Sequence, residues 1–295
     1  MPSLKEVKSR ITSVISTQQI TKAMKMVAAA KLRKSQDRIM QMRPFAKKMN
    51  ALLQNLSSAE TDGQAWYSHV REEKKILIIA ITSDRGLCGA FNSSIFKGTQ
   101  RLVEEKYAEQ AKLGNVTYLP LGKKAFEYFE KRKAKSIDQY WQLFHNLSFE
   151  EVAKIGEHVM SAFQKGEFDK VEIVYNEFKN VATQILRTEQ FLPILPPTEN
   201  HSADGQTQID YIYQPNQQEI LSGLIPKSLK VQLYKAVLDS NAAENGARMT
   251  AMDKATDNAG ELLKELKLTY NRTRQAAITK EILEIVAGAE ALKSA

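Results

Sequence analysis

The chain has 295 residues, 43% apolar and 26% charged, which suits one large or two ordinary domains with real cores and excludes a disordered, low-complexity protein. Its longest unbroken apolar run, Ile76 to Ile81, is far short of the ~18 residues a membrane helix needs, and one cysteine, Cys88, excludes an internal disulfide. Net charge is +8, but residues 1–50 hold twelve Lys and Arg against only Glu6 and Asp37, so this segment needs something acidic alongside it: nucleic acid, an anionic membrane face or an acidic protein surface.

From Leu4 to Leu56 there is no glycine and a single proline, Pro44, which should kink a helix or mark a joint. Leu4, Val7, Ile11 and Val14 follow the alternating three- and four-residue spacing of a coiled-coil seam. After the polar break Ser16-Thr17-Gln18-Gln19, apolar residues resume at Ile20, Met24 and Val27, which predicts a displaced register. The first 57 residues are expected to form an N-terminal coiled-coil helix.

Residues 75–215 alternate between strand and helix patterns. Strands are predicted at Ile76–Thr82, Val116–Leu121, Lys170–Tyr175 and Thr183–Phe191, and helices at Ser93–Tyr107, Lys123–Lys131 and Phe149–Gln164. Ser148 followed by Glu151 is a capping box for the last of these. That order implies a Rossmann-like α/β domain with a small, mostly parallel sheet. A proline-rich then polar loop follows, and a short extended piece, Ile209 to Pro215.

Residues 216–295 are predicted to form a second long helix. Met249, Met252, Thr256, Ala259, Leu263, Leu266 and Tyr270 hold a seven-residue repeat, and Ile278, Ile282, Ile285, Ala289 and Leu292 extend it with a one-residue shift. Some 69 helical residues would reach ~100 Å, against a radius of gyration near ~20 Å for a compact domain of this size. Such a helix is expected to project, and the economical arrangement pairs it with the N-terminal helix as an antiparallel, left-handed coiled coil.

The stretch TSDRGLCGAFN, Thr82 to Asn92, sits between an apolar strand and a helical pattern, where phosphate-binding and nucleophile loops are found. A phosphate cradle wants closer glycines or a following Lys-Ser/Thr pair, and a nucleophilic Cys88 wants a basic partner. Arg85 is nearby; the four histidines (His69, His145, His158, His201) are scattered and lack zinc-ligand spacing. The small residues fit tight packing of helix on strand equally well. An α/β enzyme using a nucleotide- or cysteine-based loop at residues 84–92 is the alternative reading. A third is a nucleic-acid binder driven by the basic N-terminal helix, whose few aromatics give no stacking platform.

Three stretches carry a resemblance: Gln19–Gln36, QITKAMKMVAAAKLRKSQ; the glycine loop itself; and the C-terminal segment from Ala247 that contains Ile-Thr-x-Glu-x-x-Glu-x-x-x-Gly-Ala at Ile278–Ala289. Together they resemble the gamma subunit of F-type ATP synthases, the central rotor shaft, over essentially the whole chain. The resemblance implies a coiled coil inside a ring of three alpha and three beta subunits, with the α/β domain against the epsilon subunit and the membrane rotor ring. It also implies no catalysis by this chain, no cofactor and no nucleic acid. Met24 and Lys25 match positions facing a beta-subunit loop. Arg248, Arg274, Gln275, Thr279 and Glu281 match hydrogen-bonding and ion-pairing positions toward the ring. Tyr211 and Tyr213 match the segment touching the membrane rotor ring; Gln214 stands where some relatives carry an acid. The start MPSLKEVKSRITS looks like an organelle transit peptide, but the family's mature helix begins there, which points to a bacterial protein peripheral to the membrane on its cytoplasmic side.

Overall fold

The computed structural model describes residues 3–57, 67, 69–194 and 217–293. Its elements in chain order are α1 (Leu4–Ser57), β1 (Ile76–Ile81), α2 (Phe91–Lys106), α3 (Ala108–Lys112), β2 (Val116–Leu121), α4 (Lys123–Lys131), α5 (Phe149–Gln164), β3 (Lys170–Phe178), β4 (Gln184–Leu192) and α6 (Gln217–Lys293). The two terminal helices are unbroken, at 54 and 77 residues, and run through Pro44 and Pro226 respectively. No described helix is long and apolar enough to cross a membrane. Two compact units result: residues 1–28 with 249–295, and residues 29–248.

The first unit pairs the two ends of the chain. Thr21 Oγ1 and Thr256 Oγ1 are 2.8 Å apart, Lys25 is paired with Asp253, and Gln18 Nε2 reaches the Thr256 carbonyl at 3.5 Å. Partner numbers fall on one helix as they rise on the other, so the pair is antiparallel. On the C-terminal helix Met249, Met252, Thr256, Ala259, Leu263, Leu266 and Tyr270 are all buried or half-buried, as their spacing predicts.

The N-terminal helix corrects its predicted register. Ile20 and Val27 are 59% and 58% exposed, while Thr21 and Ala28 are buried. The covered stripe runs through Leu4, Val7, Ile11, Val14, Gln18, Thr21, Lys25 and Ala28 without a shift. The repeat never breaks; it passes through polar residues that bond to the facing helix. The one-residue shift past Tyr270 also fails. Thr273 and Ala277 keep the old register and are half-buried, whereas Ile278, Ile282 and Ile285 are exposed. The pairing register explains this, since it sets Leu4, where α1 begins, opposite the turn near Thr273.

The second unit is built on a four-stranded sheet of order β2-β1-β3-β4. β2, β1 and β3 are parallel, and β4 returns antiparallel along β3. β1 lies between two parallel neighbours under helices on both faces, so all six of its residues, ILIIAI, are buried. Leu77, Ile79 and Ile81 share a core with Val152, Ile155, Val159 and Phe163 of α5 and with Ile225, Leu229, Leu233 and Val237 of α6. α2 and α4 follow β1 and β2 and bury Phe91, Ile95, Leu102, Ala125 and Phe129. Ser148 caps α5 by accepting from the Glu151 amide at 3.3 Å, while the Glu151 carboxylate turns to Lys154 at 2.7 Å.

In this unit α6 has a face for each neighbour. Its core residues meet the sheet, and Asn241 accepts a 2.6 Å bond from Ser35 of α1, a helix that also buries Leu32 and Ile39.

Candidate functional site

The glycine loop follows β1, and its side chains are spent on local structure. Thr82 Oγ1 accepts from the Ala125 amide at 2.9 Å and Asp84 Oδ1 from the Lys123 amide at 3.0 Å, so both serve donors at the start of α4. Ser83 Oγ donates to the Arg85 carbonyl at 2.7 Å and accepts from Asn92 Nδ2 at 2.8 Å. Asn92 Oδ1 in turn accepts from the Ser83 amide at 3.1 Å, which closes the loop onto the first turn of α2. Leu87 and Gly89 both take left-handed backbone angles, φ 63° and 60°. The side chains alternate accordingly: Leu87 turns out, 66% exposed, and Cys88 turns in, 2% exposed.

Cys88 is therefore a packed thiol. Its Sγ lies 3.3 Å from Asn92 Nδ2 and 3.7 Å from Ser83 Oγ. Burial pushes its pKa up, against smaller opposing effects of Ser83 and the Arg248 charge. A thiol held neutral is a poor nucleophile, so the cysteine-based form of the alternative enzyme reading loses its nucleophile.

Arg248 comes from α6. One guanidinium nitrogen pairs with the Glu244 carboxylate one turn earlier. The other donates to the carbonyls of Arg85 at 2.9 Å and Gly86 at 3.1 Å. Burial pushes the Glu244 carboxyl up, and Arg248 opposes this.

The remaining expected site residues lie on the terminal helices. Met24 and Lys25 are half-buried on α1, and the Lys25 ammonium faces Asp253 across the helix pair. Arg274, Gln275, Thr279 and Glu281 are exposed on α6. At ~100° per residue Arg274 and Glu281 share one edge, and Gln275 and Thr279 a second about 130° round. Thr279 Oγ1 donates to the Gln275 carbonyl at 2.9 Å. Beside them the same segment carries exposed Ile278, Ile282, Leu283, Ile285 and Val286. Tyr211, Tyr213 and Gln214 lie outside the described residues.

Sequence reasoning missed Asp253, Thr256 as a polar partner, and Glu244. For the first two a signal existed: carrying the three-four spacing past Val14 through polar residues lands on Gln18, Thr21 and Lys25, which need polar partners opposite.

Paired terminal helices joined to a small α/β sheet domain define a class of subunit in which both ends of the chain build one coiled coil. A family model described as ATP synthase matches residues 3–292. The ATP synthase gamma chain of Cytophaga hutchinsonii is 58% identical over 295 residues, covering 100% of both chains. That of Flavobacterium johnsoniae is 53% identical over 293 residues, covering 99% of each. Among solved structures, a chain of the Tetrahymena thermophila mitochondrial ATP synthase central stalk and c-ring is 27% identical with a TM-score of 0.56, covering 80% of this chain and 99% of that one. A chain of the Euglena gracilis mitochondrial ATP synthase shares the fold at 23% identity and a TM-score of 0.69, covering 98% and 94%. The chain belongs to the ATP synthase gamma-chain family.

Proposed function

We propose that this chain is the central-stalk rotor subunit of a proton-translocating ATP synthase. It couples proton flow to ATP synthesis or hydrolysis at alpha–beta catalytic sites by turning among them, and it has no active site of its own. Its partners are three alpha and three beta subunits, an epsilon subunit and the membrane rotor ring, with Tyr211 and Tyr213 toward that ring. Its place is the cytoplasmic face of a bacterial inner membrane, peripheral to the bilayer.

One observation carries this reading. After Ala277 the α6 helix continues for more than a dozen residues with exposed isoleucine, leucine and valine, past the point where its partner helix begins. Such a surface is stable in a cell when other protein surrounds it. An apolar sleeve suits a turning part, because non-directional contact opposes rotation less than fixed hydrogen bonds do. Arg274, Gln275, Thr279 and Glu281 add polar contacts that differ with angle, and on α1 Met24 adds an apolar contact and Lys25 a charged one. A shaft can bias three identical neighbours toward different states only through such differences, and the coupling is reciprocal: nucleotide binding drives the shaft.

The test is recovery of the chain from its source cells by an affinity tag. ATP synthase alpha and beta subunits should co-purify with it and lose ATP-driven proton transport when it is withdrawn. Recovery of the intact chain without them would overturn the proposal.

A further inference from the structure

The residue matched to a ring contact on α6, Arg248, is committed inside its own chain. Its side chain is 13% exposed, and one guanidinium nitrogen is shared between two successive carbonyls at the tip of the glycine loop. The Arg85 carbonyl also accepts from Ser83 Oγ at 2.7 Å, so the contact that Arg248 adds on its own is to the Gly86 carbonyl. Gly86 has no side chain, and nothing lies within 4 Å of where one would point. The Arg85 side chain is exposed, and Leu87 faces out in a left-handed conformation that a leucine adopts only under constraint. Glu244, itself 12% exposed, fixes the guanidinium from the other side.

We infer that Arg248, steadied by Glu244, is a positioning residue that grips the Arg85–Gly86 carbonyls and so sets the outward pose of Leu87, and that it acts on coupling through this tip and not by its own contact with another subunit. The link to coupling rests on the functional reading above; the grip does not. A guanidinium suits the task, since its planar fork serves a carboxylate on one side and two carbonyls on the other. A lysine ammonium carries the charge on one atom and cannot span all three acceptors.

The sole cysteine reports on the grip, because Cys88 is buried next in sequence to the exposed Leu87. In the purified chain and in the assembled complex, alkylation of Cys88 by a small maleimide at fixed pH is expected to be slow. Arg248→Gln should speed it by about tenfold or more, the size of one lost charge-assisted hydrogen bond, and Arg248→Lys should fall between. The rise should appear well below the melting temperature, with helix content unchanged. An unchanged Cys88 rate, or a rise that merely tracks global unfolding, would overturn the grip.

A double-mutant cycle in the complex tests the second half. If Arg248 acts through the tip, Arg248→Gln lowers the ratio of ATP synthesis to hydrolysis in the wild-type background and adds little on top of Leu87→Ala. Full additivity would mean that Arg248 makes a separate contact, and an unchanged ratio in every variant would remove the link to coupling. Either result sinks the inference while a wild-type complex that still couples leaves the functional reading standing; a wild-type complex that does not couple sinks that reading and leaves the maleimide result unaffected.

Discussion

Gly122 shows what a single position demands. Its φ is +109°, and an added Cβ would lie 2.4 Å from the Thr82 carbonyl oxygen, a backbone atom that cannot step aside. Gly122→Ala should therefore destabilise the chain by about 2 kcal/mol or more in chemical denaturation; a neutral result would mean the β2–α4 turn is looser than described. Arg274 and Gln275 pose the opposite case. Both are exposed and meet nothing that their removal would strand, so changing both to Ala should shift stability by less than about 0.5 kcal/mol while clearly lowering coupled ATP synthesis. Equal losses in both would make them helix stabilisers only. At this scale the sequence was legible where a residue's meaning is local. Ser148 is recognisable as a cap from its spacing to Glu151 and forms that bond. Cys88 was not, because whether a thiol is activated or merely packed depends on what covers it. Arg248 was not, because its carbonyl partners lie more than 160 residues away.

Among elements, the seam of α1 makes the sharpest distinction. Its apolar residues suggest one register and its covered residues follow another, because Gln18, Thr21 and Lys25 sit at seam positions and bond across to the facing helix. Apolar spacing alone cannot see a seam that turns polar. Polar seam residues commonly fix register at some cost in stability. In the isolated chain, Val27→Ala should be close to neutral, whereas Leu32→Ala, at a position 4% exposed, should cost about 2–4 kcal/mol by denaturant titration. The reverse order would restore the displaced register. The strands were easier, since parallel central strands read as apolar runs. β3 nonetheless runs three residues past Tyr175, because buried Asn176 is satisfied by the Phe91 carbonyl at 3.0 Å.

Two phenols join these elements. Tyr107, after α2, bonds to Glu172 of β3, and Tyr175 of β3 donates to Glu189 of β4 at 2.7 Å. Burial first, and the neighbouring carboxylates next, push both phenols well above the ordinary tyrosine range. The unfolded chain releases these protons near ~10, and the folded chain keeps them. Their contribution to stability is thus complete below that value and declines as pH rises above it. In an alkaline absorbance titration Tyr107 and Tyr175 should stay silent until the chain unfolds, so Phe at either position should leave the folded titration unchanged. Loss of a folded-state component on either change would contradict this.

At the scale of the whole molecule, charge and exposure separate the jobs. The N-terminal fifty residues carry a surplus of ten positive charges, of which Lys25 is met by Asp253, and the rest suits acidic surfaces on surrounding subunits. The C-terminal stretch of α6 presents apolar residues where α1 no longer covers it. Family membership was legible from three motifs spread over the chain, and the matched relatives cover it end to end. What the sequence left open was how the motifs divide the labour: the glycine loop, isolated on paper, is tied to α6 by Arg248.

A rotor subunit turns while its neighbours do chemistry. The direct measurement fixes the alpha–beta ring of the purified complex to a surface and attaches a visible probe to a cysteine at Lys131, an exposed position at the end of α4, in a Cys88→Ser background. With ATP present the probe should rotate in one direction by repeated steps, at a rate set by ATP concentration. A probe that stays fixed or wanders without direction while the ring hydrolyses ATP at its normal rate would contradict the account.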